Sequence, residues 1–211
     1  MIRLYYAPGA CSLAVHIALE EAGAEFELER VDFRAGAQRS AAYLAVNPKG
    51  RVPALQTEHG VLTECVAILA WVAQRWPEAR LAPIEDAWAF GQMQSFNAFL
   101  ASSVHPAWAH VARPERYADG EAAAEAMRAK APEALGGFYR VIEDRFADGR
   151  PWANGADYTV SDPYLAVITG WIMNRGLLDF AQFPATADHR RRTLERPAAQ
   201  RALAEEARTQ G

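Results

Sequence analysis

Two cysteines stand among the 211 residues, and the position of each suggests chemistry. Cys11 follows a short β-prone run and a Pro8-Gly9 turn, and it opens a stretch of helical periodicity. The first N–H groups of a helix have no intrahelical partner and carry partial positive charge. A thiolate is favoured there, so the pKa of such a cysteine falls. A resolving cysteine three residues on would complete a redox pair, but that position is Ala14, which leaves a local monothiol. The plain alternative for Cys11 is a small buried apolar residue.

Glu64 and Cys65 come just after Thr63 and just before the apolar stripe Val66, Leu69, Val72 or Ala73, and Trp76. That places them in a first helical turn, where free N–H groups accept a carboxylate and a glutamate can pair with an ammonium. Such a site suits the α-amino acid end of a ligand; the plain alternative is a glutamate that favours the helix dipole. Val52-Pro53 follows the turn Asn47-Pro48-Lys49-Gly50 and enters an edge strand. A thioredoxin-like fold places a cis-proline at this point, facing the helix-start cysteine. The backbone groups beside it can pair with a peptide ligand as an added strand does. An ordinary trans-proline on an edge strand is the alternative.

The elements that must hold these residues follow from periodicity. Arg3 to Tyr6 reads as a strand, Cys11 to Ala22 as a helix stopped by Gly23, and Phe26 to Phe33 as a second strand. A short helix around Ser40 to Val46, a hairpin through His59-Gly60 and a helix from Thr63 to Pro77 complete the order β-α-β-α-β-β-α. After Pro83 no convincing strand appears. Of 44 alanines, 24 lie from residue 101 on, which supports an all-helical second half. Helices are expected over 85–112, 121–146, 161–174 and 188–208, the last broken at Pro197. The expected organisation is an N-terminal α/β domain over 1–78, a linker over 79–84 and an all-α domain over 85–211.

Composition narrows the function classes. A chain that is 51% hydrophobic and 23% charged is not a disordered linker. A net charge of −4 argues against nucleic acid or anionic lipid as the main partner. No apolar run approaches the ~18 residues of a membrane span, and Met1-Ile2-Arg3-Leu4 reads as a strand and not as a signal peptide. Two cysteines make no disulfide framework, so a reducing, cytoplasmic home is expected. The basic run Arg190-Arg191-Arg192 reads as a solvated helix face, and no metal is expected.

Together these motifs resemble a known family. The run Leu4-Tyr5-Tyr6-Ala7-Pro8-Gly9-Ala10-Cys11-Ser12-Leu13, then Asn47-Pro48-Lys49-Gly50-Arg51-Val52-Pro53-Ala54-Leu55, then Leu62-Thr63-Glu64, is similar to the bacterial beta-class glutathione transferases. So is Asp157-Tyr158-Thr159-Val160-Ser161-Asp162, a capping box in which Thr159 caps a core helix and Asp162 reaches back to its backbone. The resemblance implies a thioredoxin-like domain followed by an all-helical one, usually in a homodimer, with glutathione as co-substrate and small hydrophobic electrophiles as partners. It implies that Cys11, with Ser12 beside it, meets the glutathione sulfur, and that Val52 before Pro53 pairs with the cysteinyl backbone. Glu64, with Cys65 beside it, binds the γ-glutamyl end, and His105 comes near the sulfur. Pro106 after it would bend or end the helix. The family's asparagine before that histidine has no match at the same spacing, Asn97 lying one residue off. Arg34 or Arg39 substitutes for a lysine at the glycine end. Tyr6 is assigned to the glutathione site, and Trp108 and Tyr164, with Tyr6 again, are candidates for the second-substrate pocket. His16 reads as structural or solvated. On this assignment Cys11 and Cys65 sit at opposite ends of one glutathione, too far apart to bridge. Two other functions stay open: a monothiol disulfide reductase or peroxidase, and a non-catalytic glutathione- or ligand-binding protein.

Overall fold

The computed structural model describes residues 1–209. Four short strands, β1 (Arg3–Tyr6), β2 (Glu27–Arg30), β3 (Ala54–Thr57) and β4 (Gly60–Thr63), form one mixed sheet in the order β2-β1-β3-β4. β1 pairs parallel with β2 and antiparallel with β3, and β3 pairs antiparallel with β4. Alternation along β1 sends its side chains to two faces. Leu4 and Tyr6 enter the main core with α1 (Ser12–Glu21) and α3 (Cys65–Arg75), while Tyr5 packs on the other face with Tyr43 of α2 (Ala41–Val46). The sheet is thus covered on both faces, as a thioredoxin-like unit requires. β2 spans four residues, shorter than the run from Phe26 to Phe33; only Glu27 to Arg30 find ladder partners on β1.

Six helices follow: α4 (Ala87–Phe99), α5 (His105–Ala112), α6 (Glu121–Asp144), α7 (Ser161–Asn174), α8 (Pro184–Glu195) and α9 (Pro197–Arg208). The expected helix over 85–112 is present, but a π-helical segment, Leu100–Val104, joins α4 to α5. Pro106 does not end it. It occupies the first turn of α5, where its missing N–H costs little, and the wider turn before it relieves the clash of its ring with the preceding backbone. α8 begins four residues before the expected start because Pro184 opens it, again at a first-turn position. α7 is buried over most of its length, from Ser161 to Gly170 and again at Ile172. α9 returns to pack on α1, so the chain's last helix touches the first.

The box before α7 takes the geometry its residue types demand. Asp162 Oδ2 accepts from the Thr159 N–H at 2.7 Å and from Thr159 Oγ1 at 3.1 Å. Its Oδ1 accepts from the Ala153 N–H at 2.8 Å and meets His189 Nε2 at 2.8 Å. Both Asp162 and His189 are fully buried. A carboxylate in the core is tolerable only with its lone pairs filled, and here they are.

Candidate active site

The Pro8-Gly9 turn delivers Cys11 to the start of α1. Gly9 has φ +69°, a left-handed backbone that favours glycine. Its N–H donates to Glu206 of α9 at 2.8 Å, and its carbonyl accepts from Trp171 Nε1 of α7 at 2.8 Å. The cysteine's turn is therefore clamped by two helices from the far end of the sequence. Ser12 tightens it from within: its hydroxyl accepts from the Ala7 N–H and is 3.2 Å from the Ala7 carbonyl as donor.

Cys11 is half-buried on the wall of a cavity of about 860 Å³. Its thiol donates to the Val52 carbonyl at 3.3 Å. The Val52-Pro53 peptide bond is cis, as the sequence suggests. Glu64 stands across the cavity at the entry to α3, with φ +75°. A non-glycine residue held there marks a constrained position. Lys49 donates to Glu64 Oε1 at 2.6 Å and to Thr63 Oγ1 at 2.9 Å. His105 lines the same cavity from α5, its ring packed at a tilt against Trp171 with 4.9 Å between ring centroids. Burial, with the nearby charges of Arg51 and Arg116, pulls its pKa down from 6.5 to about 4. Its imidazole is neutral at pH 7, so in the free protein it offers a dipole and not a cation.

The two cysteines are neighbours, which corrects the expectation that they lie at opposite ends of a ligand. Cys65 is buried, and its thiol donates to the Cys11 carbonyl at 3.3 Å. The cause is topological: β1 and β4 run in the same direction, so α1 and α3, which follow them and pack together, start at the same end of the sheet. The Cys65 thiol, as hydrogen-bond partner, holds the Cys11 thiol below the ordinary cysteine range against the opposing effect of burial. The same contact, with burial, pushes Cys65 well above it.

Of the other expected residues, Trp108 and Tyr164 do line the cavity. Tyr164 is nearly fully buried, and Trp108 stacks on Trp171 at 5.9 Å. Tyr6 does not reach the cavity. It is buried in the core, where its hydroxyl donates to Thr209 Oγ1 at 2.9 Å, because the alternation of β1 sends it to the α1 face. Ser12 is likewise buried and off the cavity wall. Arg34 lines the cavity and Arg39 does not. Asn97 is buried in α4, its amide bonded to Gln94 at 3.1 Å. His16 is structural: it is fully buried and its Nδ1 lies 3.3 Å from Glu206 Oε1. Ligand atoms of His16, Glu20 and Glu205 come within 4.8 Å of one another, but Glu20 is already held by Arg201 at 2.6 Å.

Sequence reasoning missed Trp171, Glu206 and the cavity's charge. Seven basic and two acidic side chains line it, among them Arg51, Arg113, Arg116 and Arg175. No run in the sequence announces them, because the fold gathers them from separate elements.

With this geometry in view, comparison with known proteins is decisive. Glutathione S-transferase GstA of Escherichia coli O157:H7 is 33% identical over 97% of this chain and 98% of its own. The chain belongs to the glutathione S-transferase family. Residues 1–74 match the family domain described as "Glutathione S-transferase, N-terminal domain". A glutathione transferase homologue from Sulfitobacter, solved with bound glutathione, is 38% identical with a TM-score of 0.91, covering 97% of this chain and 98% of that one. A bacterial beta-class glutathione S-transferase from Sphingomonas chungbukensis is 34% identical with a TM-score of 0.83, over 97% and 98% of the two chains. This family member is of the bacterial beta-class-like kind.

Proposed function

We propose that this chain conjugates glutathione to small hydrophobic electrophiles. The observation that carries the reading is the meeting of three groups in one basic cavity: a helix-start thiol, the Val52 backbone and Glu64. Glutathione has two carboxylates, an ammonium, a peptide backbone and a thiol. Cys11 and the first N–H groups of α1 meet the sulfur and favour its thiolate. The Val52 backbone pairs with the cysteinyl backbone. Glu64 keeps Oε2 for the ammonium while Lys49 occupies Oε1. The N-terminus of α3 receives the γ-glutamyl carboxylate, and Arg34 the glycine carboxylate. In this reading residues 1–78 form the glutathione domain, and the helices after the 79–84 linker supply His105 beside the sulfur and Trp108 and Tyr164 for the second substrate.

The reaction is a nucleophilic substitution. The bound thiol passes its proton to water, the sulfur forms a carbon–sulfur bond, and the leaving group departs with the electron pair of the bond that breaks. His105, uncharged, hydrogen-bonds the sulfur or takes a proton during approach. We further propose a cytoplasmic homodimer, an assignment that sedimentation and fractionation test. Among the described residues no helix is long and apolar enough to cross a membrane.

Purified protein with glutathione and an activated aryl halide tests the function. Conjugation is expected, reduced by His105→Ala and surviving in Cys11→Ala. Retention on immobilised glutathione without turnover would instead favour a binding protein.

A further inference from the structure

We propose that Cys65 is a resolving thiol for Cys11, which gives this cavity a dithiol–disulfide exchange activity beside conjugation. The inference rests on the glutathione-binding reading for its natural co-reactant. The two cysteines are the only ones in the sequence. They belong to different helices, yet the Cys65 thiol touches the Cys11 backbone at 3.3 Å. Their exposures differ in the sense an exchange sequence needs. Cys11 is half-buried on the cavity wall, open to a disulfide arriving from solvent. Cys65 lines the same cavity but is only 7% exposed, so an outside disulfide reaches it poorly, while its own thiol already lies against the Cys11 residue. Each stands at the start of a helix, and it is Cys11, the attacking group, whose thiol lies below the ordinary cysteine range.

The chemistry balances with glutathione disulfide as the oxidant. The Cys11 thiolate attacks one of its sulfurs. A Cys11–glutathione disulfide bond forms, the glutathione disulfide bond breaks, and one glutathione leaves as thiolate. Cys65 then loses its proton to solvent and attacks the Cys11 sulfur. A Cys11–Cys65 disulfide forms, and the second glutathione leaves as thiolate. Two electrons pass from the protein dithiol to glutathione disulfide, giving two glutathiones. The raised pKa of Cys65 fits this order. Its main cause is the neighbouring Cys11 thiol, and that cause is removed once Cys11 is locked in the mixed disulfide.

Reduced protein is exposed to glutathione disulfide or to bis(2-hydroxyethyl) disulfide, quenched with acid and weighed by mass spectrometry. With either reagent the wild type is expected to lose two hydrogens and carry no adduct. Cys65→Ser and Cys65→Ala are each expected to keep one stable adduct on Cys11. A stable adduct on the wild type with both reagents, or no reaction with either, overturns the proposal. The hydroxyethyl reagent separates the two readings. If calorimetry finds no glutathione binding, the proposed function fails, while loss of two hydrogens with this reagent still supports the dithiol.

Discussion

Glu64 and His105 show how much a single residue's surroundings decide. Glu64 is exposed and holds its unusual backbone angle at the mouth of α3. An ion pair to a ligand at such a wet position is worth about 1 kcal/mol. Glu64→Gln is therefore expected to raise the KM for glutathione about fivefold with kcat little changed; steady-state kinetics check this. His105 is the opposite case. Burial and nearby arginines set its pKa at about 4 in the fold, against 6.5 in the unfolded chain. Between these values the unfolded chain binds the proton and the folded chain does not. The stability linked to His105 is complete above pH 6.5 and is lost as pH falls toward 4. An NMR titration of the free protein is expected to show the His105 ring changing charge near pH 4, with no step near 6.5.

At the scale of elements, the site depends on contacts made far from its chemistry. Asp162 ties the start of α7 to Ala153 and to His189 of α8, all within the core. Removing it strands Thr159, Ala153 and His189 together. Asp162→Ala is expected to cost about 3 kcal/mol, read as a lower midpoint of urea unfolding. α7 in turn carries Trp171, which holds the Gly9 carbonyl in the turn before Cys11. The Thr159 box was legible in the sequence because its partners lie three residues apart. Trp171 was not, because its partner is 162 residues away and an isolated tryptophan on an apolar helix reads as core. The π-helical segment before His105 was hidden for a related reason: Pro106 signals a break locally, and only the fold shows where the strain is absorbed.

The whole molecule is acidic, at −4, while the charged side chains that line its cavity are mostly basic. A like-signed cluster inside a cleft focuses field toward an anionic ligand. Added salt is expected to weaken glutathione binding steadily, and calorimetry from low to physiological ionic strength measures it. The fold class, the helix-start cysteine and the cis-proline turn could be read from short motifs, since each is written within a few neighbouring residues. The closeness of Cys11 to Cys65 could not, because it arises from two helices starting at one end of the sheet. Nor could the burial of Tyr6, which depends on the face that β1 turns toward α1. The proposed function requires glutathione in the cavity with its sulfur ionised at the start of α1. Glutathione labelled with carbon-13 at the cysteinyl β-carbon reports that charge directly by NMR, unobscured by the protein's own thiols. At pH 7 with excess protein, the bound label is expected at the thiolate position while free glutathione remains the thiol. A label that stays at the free thiol position under saturating protein would contradict it.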